Sequence, residues 1–220
     1  MSLSLVIFDL DGTLIDSVVD IAQALNAMLA ARGCAALPAD TVRSMIGDGM
    51  RKLVERALLA RGLDATDLAE AERSVLELYT AEPVRLTTPY PGARGALERL
   101  RTAGLRLAVC TNKPAQLAET ILARLELSEF FLRVVGGDSL PYRKPDPRVL
   151  QAVLTHFGAA PRDALMVGDS EVDAAAAAAA GLPFVLMDHG YRRGPREQIK
   201  CFAALEDFAQ LPELVQTLRD

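Results

Sequence analysis

Apolar-rich runs recur at residues 5–8, 105–110, 133–135, 164–167 and 183–187, each too short for a helix and too continuous for a strand with one wet face. They read as strands buried on both sides. Helical periodicity separates most of them. Over 92–103, Ala96, Leu97 and Leu100 share a face and Gly104 stands where a helix would end. Over 115–125 the shared face is Ala118, Ile121, Leu122 and Leu125, and over 147–157 it is Val149, Leu150, Val153, Leu154 and Phe157. This alternation predicts an α/β fold with a parallel sheet covered by helices on both faces, whose ligands bind at the carboxyl ends of the strands.

The rhythm breaks between the first two strands. From about residue 16 to residue 87 the pattern is helical only: Val18, Ile21, Ala22, Leu25, Met28 and Leu29 share one face, and further helical stretches follow at 40–46, 50–60 and 67–79. Gly33, Gly47, Gly49 and Gly62 punctuate them. Residues 16–87 therefore read as an all-helical insert beside the strand ends, either a cap over a site or a scaffold layer. Residues 1–15 with 88–220 read as the main domain. The run DAAAAAAAG over 173–181 reads as a helix thin enough to lie close against the sheet.

Chemistry gathers where the strands end. The first apolar run passes directly into Asp9, Leu10, Asp11 and Gly12, so Asp9 and Asp11 can approach one small volume with the Asp11 carbonyl nearby. In LMVGDSEVD, Asp169 follows the fourth strand, Gly168 permits close backbone approach, and Asp173 stands at the opening of a helix. Carboxylates converging without cationic partners raise one another's pKa and destabilise a fold, a conflict that a divalent cation resolves. Oxygen ligands alone suit Mg²⁺, which keeps waters and binds together with substrate phosphates. Thr111 and Asn112 in AVCTNKP precede a helix start, where N–H groups favour anions. Lys144 in RKPDP lies in an extended, proline-bounded segment that can reach over the same crevice. Taken singly, these last two are also common as a helix cap and a surface turn. His156 reads as structural, and His189, near the last strand end, as structural or site-lining.

Composition narrows the classes. Half of the 220 residues are apolar and 24% are charged, which describes a soluble globular chain. A net charge of -5, with only short basic pairs such as Arg51-Lys52 and Arg192-Arg193, argues against nucleic acid as a partner. Cys34, Cys110 and Cys201 lack the paired spacing of a zinc site or disulfide framework and read as reduced, mostly buried thiols. No basic region precedes the first apolar run, and the longest nearly continuous one, 174–187, is short for a bilayer and broken by Gly181 and Pro183. A cytoplasmic protein without membrane contact is expected. The pattern does not bear on oligomeric state.

FDLDGTLIDS, TNKP, RKPDP and GDSEVD, in that order and each at a strand end or the approach to one, resemble the four motifs of the haloacid dehalogenase superfamily over nearly the whole chain. The helical insert stands where that superfamily carries an α-helical cap. Within it, IGDG, TNKP and KPDP resemble, less specifically, the phosphoglycolate phosphatase group. The resemblance implies a Rossmann-like core (1–15 plus 88–220) with a helical cap (16–87), and phosphoryl chemistry in which Asp9 is the nucleophile and Asp11 the acid and then the base. It further implies Mg²⁺ held by Asp9, the Asp11 carbonyl and Asp169 with support from Asp173. Thr111, the Asn112 N–H and Lys144 would hold the phosphoryl oxygens, with Lys144 also positioning Asp9. Dehalogenating relatives lack an acid at the position of Asp11, which favours phosphate chemistry here. The expected substrate is a small phosphorylated metabolite, 2-phosphoglycolate foremost; a sugar phosphate, pyrophosphate, a phosphosugar mutase reaction and noncatalytic phosphate binding are the alternatives. The cap loop Gly47-Asp48-Gly49 is expected to face the site. Arg43, Arg51 and Lys52 are the nearby cations for a substrate carboxylate.

Overall fold

The computed structural model describes residues 3–64 and 66–219. β1 (Leu5–Phe8) lies inside a six-stranded sheet between β4 (Arg106–Cys110) and β6 (Ala164–Gly168). β5 (Arg133–Val135) pairs with β4, while β7 (Phe184–Met187) and β8 (Ala203–Leu205) extend the other side, giving the order β5-β4-β1-β6-β7-β8 with every pair parallel. Because side chains alternate across a strand, the continuous apolar runs feed two cores at once. Val6 and Phe8 face one cluster with helices α5 (Ala93–Thr102), α6 (Ala115–Arg124) and α9 (Leu211–Arg219). Leu5 and Ile7 face the other, against α7 (Arg148–Phe157) and α8 (Glu171–Ala180). In α8, Ala176 and Ala177 are fully buried against the sheet, and Ser170 caps the helix in a reciprocal box with Asp173.

Between β1 and β4 the chain builds α1 (Val18–Ala30), α2 (Ala39–Arg43), α3 (Met50–Ala60) and α4 (Leu68–Ala81). Leu25, Met28 and Leu29 of α1 are completely buried, each burial worth roughly 1.5–3 kcal/mol as an upper estimate. These helices form a cap whose apolar faces join the cluster on one side of the sheet. The chain leaves and returns through two short strands, β2 (Ile15–Asp16) and β3 (Thr88–Pro89), which pair antiparallel. Asp20, on the first turn of α1, clasps the returning segment. Its carboxylate accepts the N–H groups of Arg85, Leu86 and Thr87 and the Thr87 hydroxyl at 2.6–3.1 Å.

Several elements differ from the sequence expectation. Asp16 belongs to β2, because its partner strand lies more than 70 residues away and leaves no local pattern. The 40–46 helix stops at Arg43, where the chain turns toward Gly47. β8 and α9 were not expected, β8 being three residues without an apolar run of its own. Only Cys110 of the three free cysteines is buried; Cys34 and Cys201 are half-buried. No helix among the described residues is long and apolar enough to cross a membrane.

Candidate active site

The end of β1 delivers Asp9, whose N–H donates to the Val167 carbonyl at 2.9 Å. The chain then folds into a tight turn in which the Leu10 carbonyl accepts the N–H groups of Thr13, Leu14 and Ile15. Gly12 sits at φ +83°, and a Cβ there would stand 2.4 Å from Asp169 Oδ2, so both the conformation and the space demand glycine. Asp169, at the end of β6, accepts the Thr13 hydroxyl on Oδ1 at 2.9 Å and the Tyr191 N–H on Oδ2 at 2.6 Å. Asp173 is held just as firmly, with Ser170 Oγ donating to Oδ2 and Lys144 Nζ to Oδ1, both at 2.6 Å. Gly168 makes this possible, since a Cβ there would meet the Asp173 Cβ at 2.5 Å. Lys144 Nζ also lies 2.8 Å from Asp9 Oδ1, close enough for an ion pair but not aligned as a hydrogen bond, so that buried oxygen has no hydrogen-bond partner.

Carboxylate oxygens of Asp9, Asp169 and Asp173 all lie within 4.8 Å of one another. Burial lifts the Asp9 carboxyl to about 6, Asp173 adding to the effect and Lys144 opposing it. Asp169 is pushed well above the ordinary carboxylate value by burial and then by the charges of Asp173 and Asp9. Burial alone would lower Lys144, but facing both Asp173 and Asp9 it rises instead. The two partners respond unequally because one ammonium is shared between two acids, which secures its own charge while leaving Asp9 undercompensated. Three buried carboxylates against one lysine, with one Asp9 oxygen ion-paired but lacking an aligned hydrogen bond, fit a hard divalent cation bound through oxygen.

Beside the acids lies a cavity of about 40 Å³, on the order of three water-sized spheres. Its floor is Asp9, Asp11, Thr111, Asn112 and Lys113, and its roof is Ile21, Ile46, Met50 and Leu53 of the cap. Thr111 directly follows β4, with its N–H on the Val135 carbonyl at 2.9 Å. The Asn112 amide donates to the Lys144 carbonyl at 2.9 Å and to the Gly47 carbonyl at 2.8 Å, fastening the cap loop to the core. Asp11 is gripped on both oxygens, by Ser17 Oγ at 2.5 Å and by Lys113 Nζ at 2.9 Å.

Asp9, Asp11, Thr111, Asn112, Lys144, Asp169 and Asp173 thus converge. The cap residues divide. Gly47 and Gly49 line the cavity, whereas Asp48 turns away to Arg56 at 2.5 Å and Arg193 at 2.6 Å. The three cap cations do not line it. Arg43 lies over the Tyr191 ring, Arg51 pairs with Glu72 at 3.1 Å, and Lys52 pairs with Glu55 at 2.5 Å. Helix geometry explains this for Arg51 and Lys52, since α3 points Met50 and Leu53 inward and so carries the two intervening residues outward. His189 sits behind the site, its Nε2 3.2 Å from the Thr13 carbonyl and its ring 3.8 Å from Tyr90. His156 lies edge-on to Phe157 on α7. Sequence reasoning missed Ser17, Lys113 and Tyr191. Lys113 stands inside the quoted TNKP but resembles an ordinary surface lysine, and Tyr191 is a lone aromatic 22 residues past Asp169.

Comparison with known proteins agrees with this geometry. The model of the family described as haloacid dehalogenase-like hydrolase matches residues 6–187. A phosphoglycolate phosphatase of Rhodospirillum rubrum is 45% identical, the match covering 94% of this chain and 88% of that protein. One from Cereibacter sphaeroides is 43% identical over 97% of this chain and 98% of its own length. A crystal structure from Haemophilus somnus 129pt, described as a predicted phosphoglycolate phosphatase, superposes with a TM-score of 0.92 at 31% identity, covering 98% of this chain and 99% of that one. The chain belongs to the haloacid dehalogenase-like hydrolase family.

Proposed function

We propose that the protein is a Mg²⁺-dependent phosphatase that hydrolyses 2-phosphoglycolate to glycolate and phosphate through a phosphorylated Asp9. The observation that carries the reading is the buried trio Asp9, Asp169 and Asp173, of which Asp9 lines a cavity small enough for a two-carbon leaving group. Identity to phosphoglycolate phosphatases over nearly the full chain supports the substrate.

In this reading Asp9 attacks phosphorus, the ester P–O bond breaks with its electron pair on the glycolate oxygen, and Asp11 donates a proton to that oxygen. Water then attacks the aspartyl-phosphate, giving its proton to Asp11 and returning Asp9 as a carboxylate. Thr111, the Asn112 N–H and Lys144 hold the phosphoryl oxygens throughout. Lys144, paired at 2.8 Å, also keeps Asp9 oriented. Mg²⁺ bound by Asp9, Asp169 and the Asp11 carbonyl would supply the positive charge that offsets repulsion between a carboxylate and a phosphate dianion. Asp173, both oxygens already engaged, supports the cluster through Lys144 and Ser170. The β2–β3 crossing supports a division into a core of 1–15 plus 88–220 and a cap of 16–87. The test is phosphate release from 2-phosphoglycolate: it is expected with Mg²⁺ and lost with a chelator, and chelator-insensitive turnover would refute the metal's role.

A further inference from the structure

Resting on the phosphoglycolate reading, the geometry points to Lys113 as the residue that recognises the substrate's carboxylate and thereby sets specificity. Among the described residues that line the cavity, Lys113 is the one cationic side chain, and the roof above it is apolar. Its side chain is 3% exposed. An ammonium has three N–H donors. Here one is directed to the Tyr79 hydroxyl at 3.0 Å and one faces Asp11 Oδ2 at 2.9 Å, so the third is left for a ligand in the cavity that Lys113 lines. Tyr79 belongs to cap helix α4 and is itself buried, so Lys113 is locked between the core acid and the cap.

The distances match the substrate. In 2-phosphoglycolate the carboxylate is separated from the ester oxygen by a single CH₂. An ester oxygen within hydrogen-bond reach of Asp11 therefore places the carboxylate about one hydrogen bond further on, where Lys113 stands beside Asp11. Ethyl phosphate, of similar length and without the carboxylate, makes no such contact. The apolar roof excludes water from the ion pair and so strengthens it.

The experiment compares kcat/KM for 2-phosphoglycolate and for ethyl phosphate in wild type and in Lys113→Met. Wild type is expected to favour 2-phosphoglycolate by about tenfold or more, the worth of one charge-assisted hydrogen bond. In Lys113→Met both activities fall, because Asp11 loses a partner, but the ratio between the substrates collapses toward one. An equal fall on both substrates, leaving the ratio intact, would overturn the role in specificity and leave Lys113 as a positioning residue for Asp11, with the phosphoglycolate reading standing. A wild type without preference for 2-phosphoglycolate would overturn both. Lys113→Gln, whose amide can still bridge Asp11 and Tyr79, repeats the ratio measurement if Lys113→Met does not fold.

Discussion

At and beneath the floor of the cavity Asp9, Asp169, Asp173 and Lys144 are buried and held by named partners, whereas the cap closes the cavity from above with Ile21, Ile46, Met50 and Leu53. The floor is densely tied for a reason of energy. Each of its acids is costly to bury, so each is tied to a hydroxyl, an N–H or an ammonium, and any looser arrangement would leave a charge unpaired. The roof has no such obligation and contributes shape and dryness. On the proposed function the difference separates two tasks: the strand ends would fix what bond is broken, and the cap would restrict what can be attached to it.

Changes to the floor should therefore act on chemistry and stability, and changes to the cap on seating and selection. The largest effect is expected from Asp9→Asn, which keeps the shape and removes the nucleophile: kcat should fall on the order of 10⁴-fold or more, read by phosphate release. Near-normal turnover would mean that the floor does not perform the covalent step. Next is Lys144→Met, which leaves Asp9 and Asp173 facing each other without their shared cation. A loss of about 3–5 kcal/mol in urea unfolding is expected, with Mg²⁺ restoring part of it as a raised Tm.

A smaller effect tests the cap's attachment. Asp20→Asn should cost about 2–3 kcal/mol, because a carboxylate accepting from three N–H groups and the Thr87 hydroxyl becomes a neutral amide. Although burial raises the Asp20 carboxyl, the Thr87 hydroxyl and the N–H groups of Leu86, Thr87 and Arg85 outweigh it and hold the group below its ordinary value. A lowered folded-state value stabilises above the unfolded value of about 3.9 and loses that stabilisation as pH falls through the folded value. The difference in unfolding free energy between wild type and Asp20→Asn should accordingly be full near neutrality and shrink below about pH 4. A pH-independent difference would remove the ionised clasp from the explanation.

Most of the floor was legible in the sequence and most of the roof was not, for the same physical reason that separates their proposed tasks. Asp9, Asp11, Thr111 and Asp169 stand at or near the ends of apolar runs that read as parallel strands, which bring their carboxyl ends to one edge, and Lys144 stands in a proline-bounded segment of its own. β1, α3 and β5 fall on the expected residues because their patterns are local. Which cap side chains face inward depends on helix rotation and on the path of the 44–49 loop, which residue type does not reveal. That is why Arg43, Arg51 and Lys52, chosen for their charge, lie elsewhere. Lys113 and Tyr79 meet across 34 residues, and neither position announces the other. β8 depends on pairing with β7, a tertiary contact that its own three residues do not encode.

The division of labour can be measured as kcat/KM, with Mg²⁺ present, across 2-phosphoglycolate, phospholactate, sugar phosphates, pyrophosphate and a nucleotide. A floor that breaks any monoester beneath a roof that admits only a small leaving group should place 2-phosphoglycolate ahead of the sugar phosphates and the nucleotide by about tenfold or more. A sugar phosphate or nucleotide processed as well as 2-phosphoglycolate would contradict it.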